Sequence, residues 1–498
     1  MRSDDVTKIA AVVLAGNARD AERDARAAMS RGADLAELRL DHLDRLDSGV
    51  VRSLSVAVGP RAIATLRSPN QGGLRSPAGD RGGLLREIAA QRFAYVDIEL
   101  EADGARAEEF RKAAKQHRTG VIVSHHFAKP SDLSDVQDSV EACSAIGDVA
   151  KVAVPVASIE SVIQLVDLMR SRASRKARTV IIGTGIPGTM TRALADDCGQ
   201  EFQYASWGPR VVAGQLPLPS AKRLRGRTPI VLGLVGHPLG HSLSPAIHEA
   251  ALAALDLAGV YLPFDVERDS LDALLQGADR LRLRGLNVTI PHKESIAERL
   301  DELDGDAKRL GAVNTVVFGD GWTKGHNTDV FGFRLSLRSL GLRVGDRKAL
   351  VVGAGGAARA VVDVLLREGA KVQVASRNPK RSESLADAFD KAVEVVPIEQ
   401  LARRGPWDLL VNATPVGAEG FSDGVPVPES VLAKAGFVYD LVYNPPNTRL
   451  VAAAKRLGKP ATSGLEMLLH QAAKSFELWT AQAPPIEAMR RAAKEALS

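Results

Sequence analysis

The sequence predicts an α/β protein with an N-terminal (β/α)8 TIM barrel, then a two-domain α/β half that ends in a Rossmann dinucleotide-binding domain. Three observations lead there. Eight short apolar runs alternate with charged amphipathic stretches between Ile9 and Gln215. The pattern restarts with a strand at Ile230–Val235. A third block opens with the strand Ala349–Val352, which runs straight into a glycine-rich turn and a helix.

The eight runs are Ile9–Leu14, Leu35–Leu40, Ala62–Leu66, Tyr95–Leu100, Val121–Ser124, Ala150–Val154, Val180–Gly183 and Phe202–Ser206. Each is apolar enough to be buried on both faces, as strands of a parallel sheet are. Helix-like stretches such as Asp20–Arg31, Leu84–Gln91, Ala105–Gln116, Leu133–Ile146 and Ile159–Arg172 lie between them. Eight βα units in about 215 residues suit a closed barrel, with an open doubly wound sheet as the competing topology. The basic, proline-punctuated stretch Leu216–Arg227 reads as an interdomain linker. Expected domains are therefore 1–220, a linker at 221–228, then 229–335, 336–460 and C-terminal helices over 461–498 that pack back on the 229–335 domain.

Composition narrows the function. With 65 Lys+Arg against 60 Asp+Glu, the net charge of +5 is too dilute for a nucleic-acid binder. No apolar run reaches the roughly 18 residues of a membrane span, and Ile9–Gly16 lacks a basic leader and reads as a strand. Two cysteines make no disulfide framework and fit a reducing cytosol, so a cytoplasmic protein is expected. Small anionic ligands are the expected partners, without nucleic acid or membrane; a homodimer is compatible with the sequence.

Charges at the ends of buried strands mark the first half. Glu37, Arg39 and Asp41 alternate, so they share the inward face of the second strand. Arg67, the pair His125-His126, Lys151 and Arg192 lie at or beyond other strand ends, where barrels place their chemistry. An inward lysine in Ala150-Lys151-Val152-Ala153-Val154 should have a lowered pKa and act as an amine nucleophile on a ketone. A nearby histidine would move protons and the arginines would hold a carboxylate.

These residues resemble type I 3-dehydroquinate dehydratase over about residues 7–220. The matching pieces are GADLAELRLD (32–41), TLRSPNQGG (65–73), VIVSHH (121–126), AKVAV (150–154), GTGIPGTMTR (183–192) and AGQ (213–215). The resemblance implies a Schiff base at Lys151, with His126 (or His125) removing the proton and assisting water loss. Glu37, Arg39, Arg67, Arg192 and Gln215 would line the substrate site. The chain departs from the family with Gln71 for a usual Glu, Val211 for a usual Ser, and the shortened run Ser124-His125-His126-Phe127.

In the second half, Val-Val-Gly353-Ala354-Gly355-Gly356-Ala357 lies between a strand and a helix, the context a pyrophosphate requires. The next strand, Lys371–Ala375, ends in Ser376-Arg377-Asn378-Pro379-Lys380-Arg381, and cations there fit a ribose 2′-phosphate, hence NADP. Upstream come Gly236–Pro245, Asn287–Lys293, Gly311–Thr315 and Asn327-Thr328-Asp329, runs of uncharged hydrogen-bonding groups suited to a polyhydroxylated ring. Ser242 also suits a helix cap. His237, His241 and His292 lack metal-ligand spacing and read as structural, so no metal is expected.

Those runs closely resemble shikimate dehydrogenase over about residues 229–498. The pieces are GHPLGHSLSPAIH (236–248), NVTIPHK (287–293), GAVNT (311–315), NTD (327–329), GAGGAARA (353–360), NATPVG (412–417) and YDLVYNPPNT (439–448), with Gly464, Met467, Leu468 and Gln471. The resemblance implies that Ser242, Ser244, Asn287, Thr289, Asn314, Asp329, Tyr443 and Gln471 bind the ring, with Lys293 and Asp329 as catalytic pair. Gly353, Ala354, Gly355, Gly356, Ala357, Ser376, Arg377, Asn378, Arg381, Asn412, Thr414, Gly464 and Met467 would hold NADP(H). Glu466 stands where the family often has Gly. The implied activities are consecutive: 3-dehydroquinate is dehydrated to 3-dehydroshikimate, which is reduced to shikimate. Two other readings stand beside this one: a catalytically silent barrel that only binds or scaffolds, and a second half that prefers quinate with NAD.

Overall fold

The computed structural model describes residues 6–75, 80–208, 213–239 and 242–497. Chain contacts divide it into two compact units. The first holds residues 1–231 with 256–262 and 272–283; the second holds 232–255, 263–271 and 284–498.

In the first unit, strands β1 (Lys8–Val13), β2 (Leu35–Arg39), β3 (Ala62–Thr65), β4 (Tyr95–Glu99), β5 (Gly120–His126), β6 (Val149–Pro155), β7 (Thr179–Thr184) and β8 (Phe202–Ser206) follow one another in sheet order, with β8 beside β1. The ladders between neighbouring strands are all parallel. Ladders join every neighbour except β7 and β8. That seam is held by the Glu201 N–H on the Thr179 carbonyl (3.0 Å) and by Gln200 Oε1 accepting from the Ile181 N–H (2.7 Å). Helices wrap the outside for ordinary amphipathic reasons. In Ala18–Ser30 the Asn17 side chain caps the Asp20 N–H, and Ala21, Ala25 and Ala28 recur on the face that packs inward.

The stretch expected to be a linker is not one. Leu216–Pro217 pairs with β8, and Leu218–Leu224 is a helix whose Leu218 and Ala221 join a cluster with Ile9, Ala11 and Ala205 of the barrel strands, and whose Leu224 is also buried. Its prolines misled: Pro217 caps the helix and Pro219 sits in its first turn, where a missing N–H costs nothing.

Two six-stranded sheets follow. The first is mixed, in the order Gly259–Asp265, Ile230–Gly236, Leu283–Val288, Thr315–Gly319, Trp322–His326, Glu302–Leu303. The second runs Val393–Val395, Lys371–Ala375, Lys348–Val352, Trp407–Asn412, Ala435–Asp440, Ala461–Thr462, with parallel pairings throughout. Numbered along the chain this is 3-2-1-4-5-6, the Rossmann order. Two expected boundaries shift: helix Thr328–Ser339 continues across residues 335–336, and Ala461–Thr462 is the sixth Rossmann strand rather than part of a helical tail. The C-terminal helices are Leu465–Thr480 and Ile486–Ala496. The first packs on Thr328–Ser339 so closely that a Cβ on Gly332 would meet the Met467 carbonyl at 2.7 Å. Among the described residues no helix is long and apolar enough to cross a membrane.

Two candidate active sites

Lys151 projects from the middle of β6 into the barrel and is 4% exposed. Its Nζ donates to Glu37 Oε1 and Asp97 Oδ2, both at 3.0 Å, and stands 4.2 Å from the centre of the Tyr204 ring. Strands β2, β4, β6 and β8 each contribute one of these four residues, so they form one layer of the barrel filling. Burial alone would depress the lysine's pKa, as the sequence suggested. The two carboxylates outweigh burial and raise it, so the resting side chain is a caged ammonium.

Sequence reasoning missed Asp97, which the alternation Tyr95-Val96-Asp97-Ile98-Glu99 could have revealed, since both acids share the inward face. Burial opposes its charge, but Arg67, Lys151 and the Ser124 hydroxyl hold its carboxyl below the ordinary range. Arg67 is buried among Asp97 (2.9 Å), Glu99 (3.4 Å) and Ser124 (2.8 Å). Arg39 forms a fork on Asp41, two bonds of 2.8 Å, so these two neutralise each other. Arg192 differs. It is buried, gives one bond to the Gly183 carbonyl (2.8 Å), and among the described residues has no carboxylate partner. Burial alone lowers its pKa, to about 10.

The two adjacent histidines face different ways. His125 Nδ1 meets Ser139 Oγ at 2.6 Å, and its Nε2 lies 3.3 Å from Glu101. His126 has a buried Nε2 without a partner among the described residues, and its backbone N–H donates to Gln71 Oε1 (3.2 Å). Burial, then the cations Arg67, Lys151 and Arg39, push its imidazole pKa well below normal, so it is a neutral base. Gln71, His126, Phe127, Ala153 and Thr184 line a cavity of about 260 Å³. Gln215 is half-buried just after residues 209–212, which lie outside the described residues together with Val211.

In the second unit, Lys293 Nζ and Asp329 Oδ2 are 2.6 Å apart. Asn314 Nδ2 donates to Asp329 Oδ1 (2.8 Å) and contacts Gln471 Oε1 (3.4 Å), while Asn287 donates to Ser475 (3.1 Å). Thr315, Thr328 and Ser475 join this network although they were not expected as site residues; Thr328 sits inside the quoted Asn-Thr-Asp run. Ser242 Oγ accepts the Ser244 N–H (3.2 Å) from outside the helix, whose N-cap position is held by Leu243, and also bonds the Tyr443 hydroxyl, whose pKa burial raises. Thr289 sits over Gly236, where a Cβ would meet its methyl at 2.5 Å. His292 is buried on the Val266 carbonyl (2.7 Å) and His237 is on Asp265 (2.8 Å); His241 lies outside the described residues.

The glycine-rich turn is shaped for close approach. Gly353 has φ +117, and a Cβ there would meet the Ala413 carbonyl at 2.8 Å. Helix Gly356–Arg367 starts at Gly355, and a Cβ on Gly356 would lie 3.3 Å from Lys293 Cδ. The turn therefore borders the Lys293–Asp329 pair. Arg377, Asn378, Lys380 and Arg381 are exposed at the end of the second strand, whereas Ser376 bonds Ser382 (2.7 Å). Asn412 lies beneath the turn. It is 0% exposed; its Oδ1 accepts from the Thr414 N–H (3.0 Å) and Oγ1 (2.7 Å), and its Nδ2 donates to Asp440 (2.8 Å). It shapes the Thr414 turn from beneath. Glu466 is engaged by Arg490, while Gly464 cannot carry a side chain because a Cβ would meet the Leu441 carbonyl at 2.1 Å. Met467 is buried. Among the described residues no group of His, Cys, Asp and Glu is arranged to hold a metal.

A barrel enclosing a lysine between two carboxylates suits a lyase, and a Rossmann sheet bordering a lysine–aspartate pair in a polar network suits a dehydrogenase. Residues 9–225 match the type I 3-dehydroquinase family. Residues 234–316 match the shikimate dehydrogenase substrate-binding domain, 335–416 the shikimate/quinate 5-dehydrogenase domain and 464–494 the shikimate 5′-dehydrogenase C-terminal domain. The chain belongs to the shikimate dehydrogenase family and carries a type I 3-dehydroquinase domain ahead of it. It is 43% identical over 257 residues to the shikimate dehydrogenase (NADP(+)) of Caldanaerobacter subterraneus, covering 51% of this chain and 92% of that protein. The Methanopyrus kandleri shikimate dehydrogenase (NADP(+)) is 46% identical over 279 residues, 54% of this chain and 96% of its own. A crystal structure of a shikimate dehydrogenase in complex with NADP+ matches with a TM-score of 0.51 and 38% identity, over 54% of this chain and 96% of that one.

Proposed function

We propose that the barrel dehydrates 3-dehydroquinate to 3-dehydroshikimate through a Schiff base at Lys151, and that the second half reduces 3-dehydroshikimate to shikimate with NADPH. The observation that carries the first step is the buried lysine between two carboxylates, with a neutral histidine and a buried arginine that has no counter-ion among the described residues in the same barrel. Arg192 takes the substrate carboxylate, whose charge replaces the missing partner. Glu37 or Asp97 accepts the proton that Lys151 must shed before attack, at 3.0 Å. Once the iminium forms, it draws electrons from the neighbouring carbon, and His126 removes the proton there and returns it to the departing hydroxyl. Arg39, Arg67 and Gln215 complete the wall.

In the second half, Gly353, Gly355 and Gly356 would hold NADPH, with Arg377 and Arg381 for its 2′-phosphate, and the cofactor would supply a hydride. The chain's residues handle oxygen and proton. Lys293 stabilises the charge growing on the ketone oxygen and donates the proton. Asp329 orients Lys293 and accepts from a ring hydroxyl, while Ser242, Ser244, Asn287, Thr289, Asn314, Tyr443 and Gln471 satisfy the other ring oxygens. Support for NADP over NAD comes from the exposed cations at 377–381, where a 2′-hydroxyl reader would carry an acid.

Borohydride reduction in the presence of 3-dehydroquinate, followed by peptide mass mapping, tests the barrel mechanism. The adduct is expected on Lys151. An adduct on another lysine, or none while dehydratase turnover continues, overturns it.

A further inference from the structure

Tyr204 is a buried polar group that the reaction described above leaves without a task. It projects from β8 into the same layer as Glu37, Asp97 and Lys151, and is 4% exposed. Its ring lies face-on to the Lys151 ammonium at 4.2 Å, and its enclosed hydroxyl meets that ammonium but makes no well-formed hydrogen bond among the described residues. Barrel interiors at this depth are ordinarily filled by branched apolar side chains. An enclosed hydroxyl without a well-formed hydrogen bond is costly where phenylalanine would keep the same ring. Any carbon bonded to Nζ stands one bond length from the atom that Tyr204 already faces.

Resting on the Schiff-base reading, we propose that Tyr204 is a catalytic residue of imine formation: its hydroxyl donates a hydrogen bond to the oxygen of the tetrahedral adduct at Lys151, and its ring face supports the positive nitrogen. In this step the Nζ lone pair forms the C–N bond while the carbonyl π pair moves onto oxygen. That oxygen then leaves as water as the nitrogen lone pair closes the C=N bond. The three ammonium protons are divided between the iminium N–H and the water, so no outside proton or redox partner is needed. Tyr204 binds the oxygen during this exchange and keeps its own proton: burial raises the phenol's pKa, so it remains a donor throughout the working range.

Tyr204→Phe keeps the ring and removes only the oxygen. With the full chain, rapid quenching with borohydride should show trapping of 3-dehydroquinate at Lys151 slowed about 10- to 100-fold, the range expected for losing one hydrogen bond to a developing charge. The pH profile should keep its shape, because the phenol does not titrate, and thermal stability should be equal or higher. A variant that traps at the wild-type rate overturns the proposal and leaves the hydroxyl a packing feature. Failure of the wild type itself to trap at Lys151 would instead remove the Schiff-base reading. Tyr204→Leu, which also removes the ring, should slow trapping further; equal rates for Phe and Leu would show that the ring face contributes nothing.

Discussion

At the residue scale, the two lysines are held in opposite settings. Lys151 is enclosed by two carboxylates, whereas Lys293 pairs with one acid among the described residues and sits at the border of the glycine-rich turn. Lys293→Ala should lower kcat for shikimate oxidation by about 10²–10⁴ while KM changes little, because the amide and hydroxyl contacts still hold the ring. Steady-state kinetics decide: an unchanged kcat with a raised KM would make the lysine a binding residue. Arg377→Asp should weaken NADP by roughly 10- to 150-fold, the equivalent of about 1.5–3 kcal/mol, and affect NAD far less. Equal losses for both cofactors would mean that the arginine supports the turn and not the 2′-phosphate.

At the element scale, the helix Leu218–Leu224 has most to say. Its basic residues and prolines resemble a linker in sequence, yet Leu224 is 1% exposed. Leu224→Ala should therefore destabilise the barrel by about 2–5 kcal/mol, the usual cost of truncating a buried leucine. Thermal unfolding followed through dehydratase activity tests this; an unshifted midpoint would return the segment to the status of a tether. The first Rossmann strand and helix show the opposite case. Apolar periodicity, a positive-φ glycine and the helix start coincide within a few residues of Val352, so the element was legible in one dimension.

At the scale of the whole molecule, each chemistry is built from one unit's own residues. All the proposed dehydratase residues fall in the first unit and all the proposed dehydrogenase residues in the second. Lys151→Met should then abolish dehydratase turnover and leave shikimate oxidation intact, and Lys293→Ala should do the reverse. An equimolar mixture of the two variants, given 3-dehydroquinate and NADPH, should form shikimate. No shikimate from the mixture, with each remaining half-activity intact, would show that the intermediate does not pass through solution.

The sequence by itself determined what short-range periodicity and local chemistry can carry: the eight barrel strands, the Rossmann turn, and the runs that hold Lys151, Lys293 and Asp329. These were readable because a strand's alternation and a glycine's freedom are properties of neighbouring residues. Only the tertiary structure decided the charge state of Lys151, because Glu37 and Asp97 reach it across the barrel from distant strands and reverse what burial alone would do. It likewise decided that His126 faces the cavity while His125 turns to Ser139, and that Asn412 works from beneath the turn. Electrostatic balance and side-chain direction depend on partners that only folding brings within a few ångströms, and no local pattern records them.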